Sequence, residues 1–455
     1  MTGHRQECLL AAAGRLAAVR PCYRERGEDQ RILTDKKKRV VSGMRPTGKL
    51  HIGHYFGALQ NWVRLQNDPE YDCFYFIADW HALTSDYADT SAVAQNTIEI
   101  ATDYLAAGLD PAKSVIFQQS LIPEHSELFL LLGMVTPLSW LERIPTYKEQ
   151  IENVTSKDLH TYGFLGYPAL QTADIVIYSE PGTPLFVPVG EDQVSHVELS
   201  REIVRSFAGH YGLEVSEKLT HAEGLSAYQR MQGTFGIKPG NRDENFSQNV
   251  IRSFKQAARE MGVANFLEKA AGDAIYFRDL QILTEPNSLL TKTPRLPGLD
   301  GRKMSKSYGN TITLSETDDE IRRKTKVMVT DPARKRRTDP GNPDVCPVYD
   351  WHKLFSTPET LQWAATGCRS AGIGCIECKS KMADGLIEWI APIRERRAEY
   401  EKNPKKVLEV IDAGSQQARK VARATMQRVR EAVFGWEKKR AEIGTVSFEA
   451  HDTHD

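Results

Sequence analysis

The 455-residue sequence lacks any apolar run near the ~20 residues that a membrane-spanning helix needs, so we expect a soluble protein. It also lacks a charge surplus, since 59 Lys and Arg stand against 60 Asp and Glu. A nucleic-acid partner would therefore bind to local basic patches and not to the chain as a whole. Only seven cysteines are present, with no secretory signal. This argues against a disulfide framework and indicates a reducing, cytoplasmic compartment.

Residues 1–38 begin with an apolar patch and become strongly charged towards their end. Acidic residues are spread through this stretch, whereas transit peptides are poor in them. We therefore expect an extension without fixed structure, or a start codon placed too early. Residues 438–455 are likewise expected to form a loose tail.

The stretch 42–54 connects a buried strand at Val40 and Val41 with a helical pattern over 55–66. It reads Ser-Gly-Met-Arg-Pro-Thr-Gly-Lys-Leu-His-Ile-Gly-His. A helix that begins near Gly53 directs free N–H groups into this turn, which favours a bound phosphate. His51 and His54 add imidazoles that can donate hydrogen bonds to phosphoryl oxygens without a permanent charge. The stretch therefore predicts a phosphate-binding turn.

An alternation of strands and helices follows this turn. Apolar runs over 73–79 and 114–119 are typical of buried strands, and the segment 92–105 between them has helical spacing. Such alternation predicts a Rossmann-type α/β domain with a parallel, nucleotide-binding sheet. Ligands of such sheets bind at the carboxyl ends of the strands.

Two further segments carry polar residues in apolar surroundings. A helix predicted over 162–178 places Tyr167, Gln171 and Asp174 on one face. Asp174 is either a solvated helix carboxylate or a buried acceptor for a ligand. The strand predicted over 185–189 ends in Gly190-Glu191-Asp192-Gln193, where carboxylates often only cap a helix.

A second phosphate-type stretch, 301–307, reads Gly-Arg-Lys-Met-Ser-Lys-Ser and combines three cations with two hydroxyls. His51-Ile-Gly-His54 and Lys303-Met-Ser-Lys-Ser307 match the two signature motifs of class I aminoacyl-tRNA synthetases letter for letter. From about Val40 to about Trp436 the chain resembles the bacterial tryptophanyl-tRNA synthetases, with one interruption at 213–281. The resemblance implies activation of tryptophan by ATP with Mg²⁺, transfer to tRNA(Trp), and a homodimer.

The resemblance also implies roles for individual residues. The catalytic residues would be His51, His54, Lys303 and Lys306. Tryptophan would be bound by Asp174, Tyr167 and Gln193. ATP would be bound by Arg45, Pro46, Thr47, Gly53, His54, Gly190, Glu191, Asp192, Leu296, Lys303, Met304, Ser305, Lys306 and Ser307.

The expected domains follow from the same match. The catalytic domain would comprise 39–212 and 282–325, and 213–281 would be an insertion of unknown role with one amphipathic helix near its middle. An all-helical anticodon-binding domain would occupy 326–437. The basic run 334–337 is either a solvated loop or a phosphate contact.

Four of the cysteines form the pattern Cys346-x21-Cys368-x6-Cys375-x2-Cys378. Clustered thiols with a Cys-x2-Cys pair are typical of a tetrahedral metal or an iron–sulfur cluster. Zinc is the default for such a set, with His352 as an alternative ligand. Some bacterial members of the resembled family hold a [4Fe-4S] cluster with a first gap one residue longer, so we favour iron–sulfur and retain zinc.

Other functions fit the motifs less well. A nucleotidyl-transferring enzyme that uses no tRNA would lack the helical C-terminal third. A non-catalytic RNA-binding relative would have damaged motifs, whereas both motifs are intact here. The tyrosine enzyme is the nearest sibling, and the stretch 167–174 resembles the tryptophan version.

Overall fold

The structure is a computed structural model that describes residues 36–153, 157–238, 245–291, 294 and 296–444. The expected N-terminal extension, except for its last three residues, and residues 445–455 of the expected tail lie outside these ranges. No described helix combines the length and the apolar character needed to span a bilayer.

Seven strands occur in the described ranges: β1 (Lys38–Met44), β2 (Tyr71–Ile77), β3 (Ser114–Gln118), β4 (Leu185–Val189), β5 (Leu213–Val215), β6 (Phe277–Asp279) and β7 (Pro286–Leu290). Five of them form one sheet in the order β3-β2-β1-β4-β7, and all its neighbouring pairs are parallel. The strand order changes direction between β1 and β4. In such sheets the carboxyl ends at this point leave a crevice for a ligand. The predicted parallel sheet is confirmed.

Helices connect these strands and form the C-terminal third. The helix α1 consists of three consecutive segments, Ile52–His54, the π-helical Tyr55–Leu59 and Gln60–Gln66. The other helices of the catalytic half are α2 (Asp79–Asp86), α3 (Val93–Ala107), α4 (Glu124–Gly133), α5 (Leu138–Leu141), α6 (Pro145–Asn153), α7 (Tyr162–Leu165), α8 (Tyr167–Val176), α9 (Val194–Tyr211), α10 (Leu225–Phe235), α11 (Phe246–Met261) and α12 (Val263–Ala270). The C-terminal helices are α13 (Asp318–Lys326), α14 (Pro347–Phe355), α15 (Pro358–Arg369), α16 (Cys375–Lys402), α17 (Pro404–Phe434) and α18 (Trp436–Ile443).

The C-terminal helices pack directly on the sheet domain. Helix α17 covers the edge strand β3, where the backbone N–H of Gln118 donates to the Ser415 hydroxyl at 3.2 Å. Gly414 permits this approach, because a Cβ there would clash with the carbonyl oxygen of Ile116. A covered edge strand cannot pair with another chain. The two halves share two buried clusters, because residues of the C-terminal helices belong to both cores of the sheet domain.

Residues 213–277 build a small core of their own. The short strands β5 and β6 pair antiparallel, and α10, α11 and α12 pack around Phe254 and Phe266, which are fully buried. The amphipathic pattern predicted only α11. Strands of three residues are too short to show an alternating pattern, so their pairing could not be predicted from the sequence.

Two local predictions differ from the structure. The helix predicted over 162–178 is divided at Gly166 into α7 and α8. Pro168 has no N–H to donate and is favoured in the first turn of a helix, so α8 begins beside it. Strand β1 continues to Met44, because its residues still pair with β2. The phosphate-binding turn predicted over 42–54 is therefore shorter than the sequence pattern indicated.

Candidate active site

A cavity of about 740 Å³ opens at the carboxyl ends of β1 and β4. Residues from both signature stretches and from α8 line it together. The predicted site residues among its lining are Arg45, His51, Gly53, His54, Tyr167, Asp174, Gly190, Gln193, Leu296, Lys303 and Met304. Pro46, Thr47, Glu191, Ser305 and Lys306 lie beside it in the chain, and the side chains of Asp192 and Ser307 are outside the described part.

The two histidines of the first motif stack at the start of α1. Their ring centroids are 3.7 Å apart, and His54 Nδ1 accepts the backbone N–H of His51 at 3.2 Å. In a neutral imidazole with an accepting Nδ1, the proton is on Nε2. Burial and the nearby Lys306 lower the pKa of His51 to about 4, and burial lowers the pKa of His54 well below its usual value. Both rings are therefore neutral near pH 7, and His54 Nε2–H is a donor.

The second motif closes directly onto the first. Lys306 Nζ donates to the carbonyl oxygens of Gly48 at 2.7 Å and of Thr47 at 2.9 Å. Burial lowers the pKa of Lys306 to about 8. Met304 Sδ lies so close to Gly53 that a Cβ there would be 3.1 Å from the sulfur and 2.9 Å from the ring of His51. Gly53 thus permits contact between the motifs.

Backbone hydrogen bonds join the same two stretches. The N–H of Ile52 donates to Ile312 O at 3.0 Å, and the N–H of Leu314 donates to Leu50 O at 2.9 Å. The segment that follows the Lys-Met-Ser-Lys-Ser loop is therefore bridged to the turn that carries the histidines.

Asn310 holds the second motif in shape, and sequence reasoning missed it. This buried residue accepts the N–H of Ser305 at 2.8 Å and donates to Lys303 O at 3.1 Å. It also donates to Asp300 at 2.8 Å. Hydrogen bonds from Asn310 and Arg302 lower the pKa of the Asp300 carboxyl to about 2. An Asn shortly after the motif was the only available signal.

Asp174 is a buried carboxylate with one oxygen satisfied and one not. Its Oδ1 accepts from His125 Nδ1 at 2.6 Å and from Gln119 Nε2 at 2.7 Å. Its Oδ2 lies 3.0 Å from His81 Nε2 but accepts no well-formed hydrogen bond from the described residues. Burial by itself would raise the pKa of Asp174, but the hydrogen bond from His125 and the nearby ring of His81 outweigh it and lower the pKa. The carboxylate is therefore ionised, and its Oδ2 can accept a better-aligned hydrogen bond than the one that His81 offers.

The partners of Asp174 are themselves fixed. Trp80 donates its backbone N–H to Gln119 Oε1 at 3.0 Å, which turns the amide NH₂ towards the carboxylate. A carboxylate only accepts, so His125 Nδ1 is protonated, and in the neutral ring Nε2 accepts the Tyr178 hydroxyl at 2.8 Å. The acceptor is thus held in one orientation.

Tyr167 lies about two helical turns before Asp174, on the same face of α8. Its hydroxyl is 2.8 Å from Thr146 Oγ1 and 3.0 Å from His196 Nε2. Burial raises the pKa of Tyr167, so the hydroxyl remains protonated at neutral pH. It is a neutral donor and acceptor at the wall of the cavity.

The four clustered cysteines lie on three helices of the C-terminal third. Cys346 caps α14, Cys368 is in the last turn of α15, and Cys375 and Cys378 are in the first turn of α16. None forms a disulfide. Burial and the three other thiols raise the pKa of Cys378 to about 12. Cys378 therefore interacts electrostatically with the three other thiols, as the ligands of one shared cation would. Among the described residues no group of three or more His, Cys, Asp or Glu is already arranged around a metal position.

Two residues beside this cluster, Arg334 and His352, were also named in the sequence analysis. Arg334, at the start of the basic run, is buried and donates to the carbonyl oxygens of Ile373 at 2.6 Å and Arg337 at 3.0 Å. It is a structural donor and not a solvated phosphate contact, while the rest of the run is exposed. His352 Nε2 lies 3.1 Å from Cys378 O and 3.3 Å from its sulfur.

Comparison with known proteins decides the family. Residues 34–247 and 245–390 match the family described as tRNA synthetases class I (W and Y). The chain belongs to this family. Tryptophan–tRNA ligases are close relatives: that of Ralstonia nicotianae is 48% identical over 400 residues, covering 87% of this chain and 98% of the relative. That of Thermotoga maritima is 42% identical over 396 residues, with the same two coverages.

A solved structure agrees with these relatives. Tryptophanyl-tRNA synthetase from Campylobacter jejuni, complexed with ADP and tryptophan, is 27% identical, with a TM-score of 0.63. The match covers 87% of this chain and 99% of that one. The predicted class I fold, a Rossmann-type domain followed by a helical region, is therefore confirmed.

Proposed function

We propose that this class I synthetase is a tryptophan–tRNA ligase. It activates L-tryptophan with ATP to tryptophanyl-adenylate and pyrophosphate, and then transfers tryptophan to the 3′ end of tRNA(Trp). The observation that carries this proposal is the buried carboxylate of Asp174, whose Oδ2 accepts no well-formed hydrogen bond from the described residues, in one cavity with both signature motifs. The tryptophan–tRNA ligases that cover nearly the same length support it.

The activation step needs no protein base or nucleophile. The tryptophan carboxylate is ionised at pH 7, and its oxygen attacks the α-phosphorus of ATP while the bond from that phosphorus to pyrophosphate breaks. The protein contributes positioning and stabilisation of the charge that develops on the phosphates. Mg²⁺ bound to the phosphates neutralises part of this charge.

The two motifs divide this work. His51 and His54 are neutral donors at a helix N-terminus, and we assign them to the phosphates at the reacting end of ATP. Lys306 and Lys303 lie on the loop that closes over the turn and would follow the departing pyrophosphate. Lys306 now donates to carbonyl oxygens of the turn. Bound phosphate would draw its ammonium group towards the ligand, since phosphate is the stronger partner.

Two of the residues that we assign to amino-acid binding, Tyr167 and Asp174, lie on α8. An indole offers one N–H donor and no acceptor, which matches a carboxylate oxygen that accepts no well-formed hydrogen bond. We assign Asp174 Oδ2 to the indole, and Tyr167 with Gln193 to the amino group of the substrate. A tyrosine hydroxyl would bring both a donor and an acceptor, so it fits this acceptor less completely.

The direct test is aminoacylation. The purified protein, with ATP, Mg²⁺ and bacterial tRNA, should attach labelled tryptophan to tRNA and leave labelled tyrosine free. Charging with tyrosine in preference to tryptophan would assign the chain to the other branch of its family.

We assign the helical residues 326–437 to tRNA anticodon binding, and the catalytic domain to 39–212 and 282–325, with 213–281 as an insertion. The support is the run of helices from α14 to α17 and the separate core of 213–277. Limited proteolysis should cut first at the borders of 213–281 if the insertion is a separate unit.

We propose that Cys346, Cys368, Cys375 and Cys378 hold a [4Fe-4S] cluster, with zinc as the alternative. Four clustered thiols without a disulfide are the support. Burial, and after it the neighbouring thiols of the cluster, raise the pKa of Cys368 and Cys378, and a bound cation would favour the thiolates. Free thiols also suit a cytoplasmic protein. A bound cluster would fix the ends of three helices relative to one another. His352 Nε2 lies 3.3 Å from the Cys378 sulfur and remains the alternative ligand if the ion is zinc.

We also propose a homodimer. Apolar side chains are exposed on α4, directly after it, on α5 and on α7, namely Leu130, Met134, Leu138 and Tyr162, and three of them are 60–70% exposed. A second copy would cover such a patch. Sedimentation equilibrium should give twice the mass of the chain, and Met134→Glu should lower it to that of one chain.

A further inference from the structure

Asp103, on α3, connects two distant parts of the chain. Its side chain is fully buried, and Oδ2 accepts the backbone N–H of Leu50 at 2.7 Å. Its Oδ1 accepts from Arg397, a residue of the helical C-terminal third. One carboxylate therefore touches both the residue that precedes His51 and a helix of another domain.

Arg397 is equally buried, with 2% of its side chain exposed. It also pairs with Glu99 on α3 and with Glu401, one turn further along its own helix. Its helix, α16, begins with Cys375 and Cys378. The ion pair thus joins the cysteine-bearing helix to the phosphate-type turn through a single side chain.

The contact with Leu50 lies where the turn is hydrogen-bonded to the segment that follows the second motif. The N–H of Leu50 is fixed by Asp103, and its carbonyl accepts from Leu314, which follows the second motif. The charge of Asp103 also acts on Lys306, raising the pKa that burial lowers. Asp103 therefore influences both motifs without lining the cavity.

We propose that Asp103 and Arg397 are positioning residues for the activation step. Arg397 orients the Asp103 carboxylate. Asp103 holds the Leu50 amide, and this sets the position of the histidines that follow. The inference rests on the proposed function, since it concerns the same phosphate site.

Two double variants separate this role from a merely structural one. Asp103→Asn with Arg397→Met removes both charges but keeps an oxygen that can accept the Leu50 N–H. Asp103→Leu with Arg397→Met removes both charges and that acceptor. Neither variant leaves the buried charge of Asp103 or of Arg397 without its partner. Both remove Arg397 from Glu99, which is 21% exposed, so this effect is common to the two variants and cancels when they are compared. Arg396→Ala is the matched control, because Arg396 also bridges α16 and α3, through Ala106 O at 2.7 Å, and the contact does not involve the turn.

Tryptophan-dependent pyrophosphate exchange is measured for each protein and normalised to titrated active sites. Relative to the Asn double variant, the Leu double variant should lose about 10- to 100-fold in kcat, as expected for a misplaced reacting group. Its KM for ATP should rise and its KM for tryptophan should stay the same. Arg396→Ala should match the wild type in both constants.

Identical exchange constants in the two double variants would overturn the inference, because the Leu50 contact would then have no role of its own. If both double variants lose titratable active sites and neither KM changes, Asp103 and Arg397 have only a structural role, and the inference is likewise overturned. Absence of exchange in the wild-type protein would overturn the proposed function as well, so the two failures are distinguishable.

Discussion

The substitution Asp174→Asn isolates the acceptor that we assign to the indole. Oδ1 already accepts from His125 and Gln119, so the new amide oxygen should stay with these donors. The amide NH₂ then takes the place of Oδ2, 3.0 Å from His81 Nε2, and presents a donor where the indole also brings one. A hydrogen bond to a charged group contributes about 1.5–3 kcal/mol. At about 1.4 kcal/mol per factor of ten, tryptophan should bind about 10- to 150-fold more weakly.

Calorimetry with tryptophan in the absence of ATP measures this loss directly, and the KM for tryptophan in pyrophosphate exchange should rise in parallel. The KM for ATP should not change, because the phosphate turn follows another strand. Asp350→Asn is the control, since Asp350 is a buried carboxylate in the helical third that pairs with Lys353. Unchanged tryptophan affinity in Asp174→Asn would show that Asp174 is an ordinary structural carboxylate and refute the reasoning.

Three further predictions concern the phosphate site and the thiols. His54→Ala should lower kcat of exchange about 100- to 1000-fold, as for a lost charge-stabilising donor, with little change in the KM for tryptophan; an unchanged rate contradicts the assigned role. The kcat/KM for ATP should fall as pH rises through about 8, where Lys306 loses its proton, and Lys306→Arg should abolish this fall; the same fall in the variant would exclude Lys306 as its source. Protein purified without oxygen should be brown with about four irons per chain, and the Ser variant of each clustered cysteine should lose the colour while Cys73→Ser keeps it. Loss of the cluster should impair tRNA charging more than activation, and colourless protein with a single zinc ion, prepared with iron and sulfide supplied, would decide for the alternative.

The architecture could be predicted because its signals are local. The buried strands, the glycine turn and the helix after it occupy adjacent residues. Their hydrophobic periodicity can be recognised within short stretches of the sequence. The same is true of Tyr167, Gln171 and Asp174, whose helical spacing places them together and which all line the cavity.

The supporting residues could not be predicted, because they come from distant parts of the chain. His125 and Gln119 reach Asp174 only after the sheet has formed, and no periodic pattern links them. Asp103 and Arg397 are separated by almost the whole catalytic domain. Arg334 looked exposed within a basic run, yet it turns inwards because the carbonyl oxygens of Ile373 and Arg337 need a donor.

Pyrophosphate exchange with each of the twenty amino acids tests the central claim most directly. Wild-type protein with ATP, Mg²⁺ and labelled pyrophosphate should show exchange with tryptophan, and exchange with tyrosine should be far slower. Asp174→Asn should lose most of the activity at low tryptophan concentration and regain it at high concentration. Exchange driven best by another amino acid, or by none, would contradict the account.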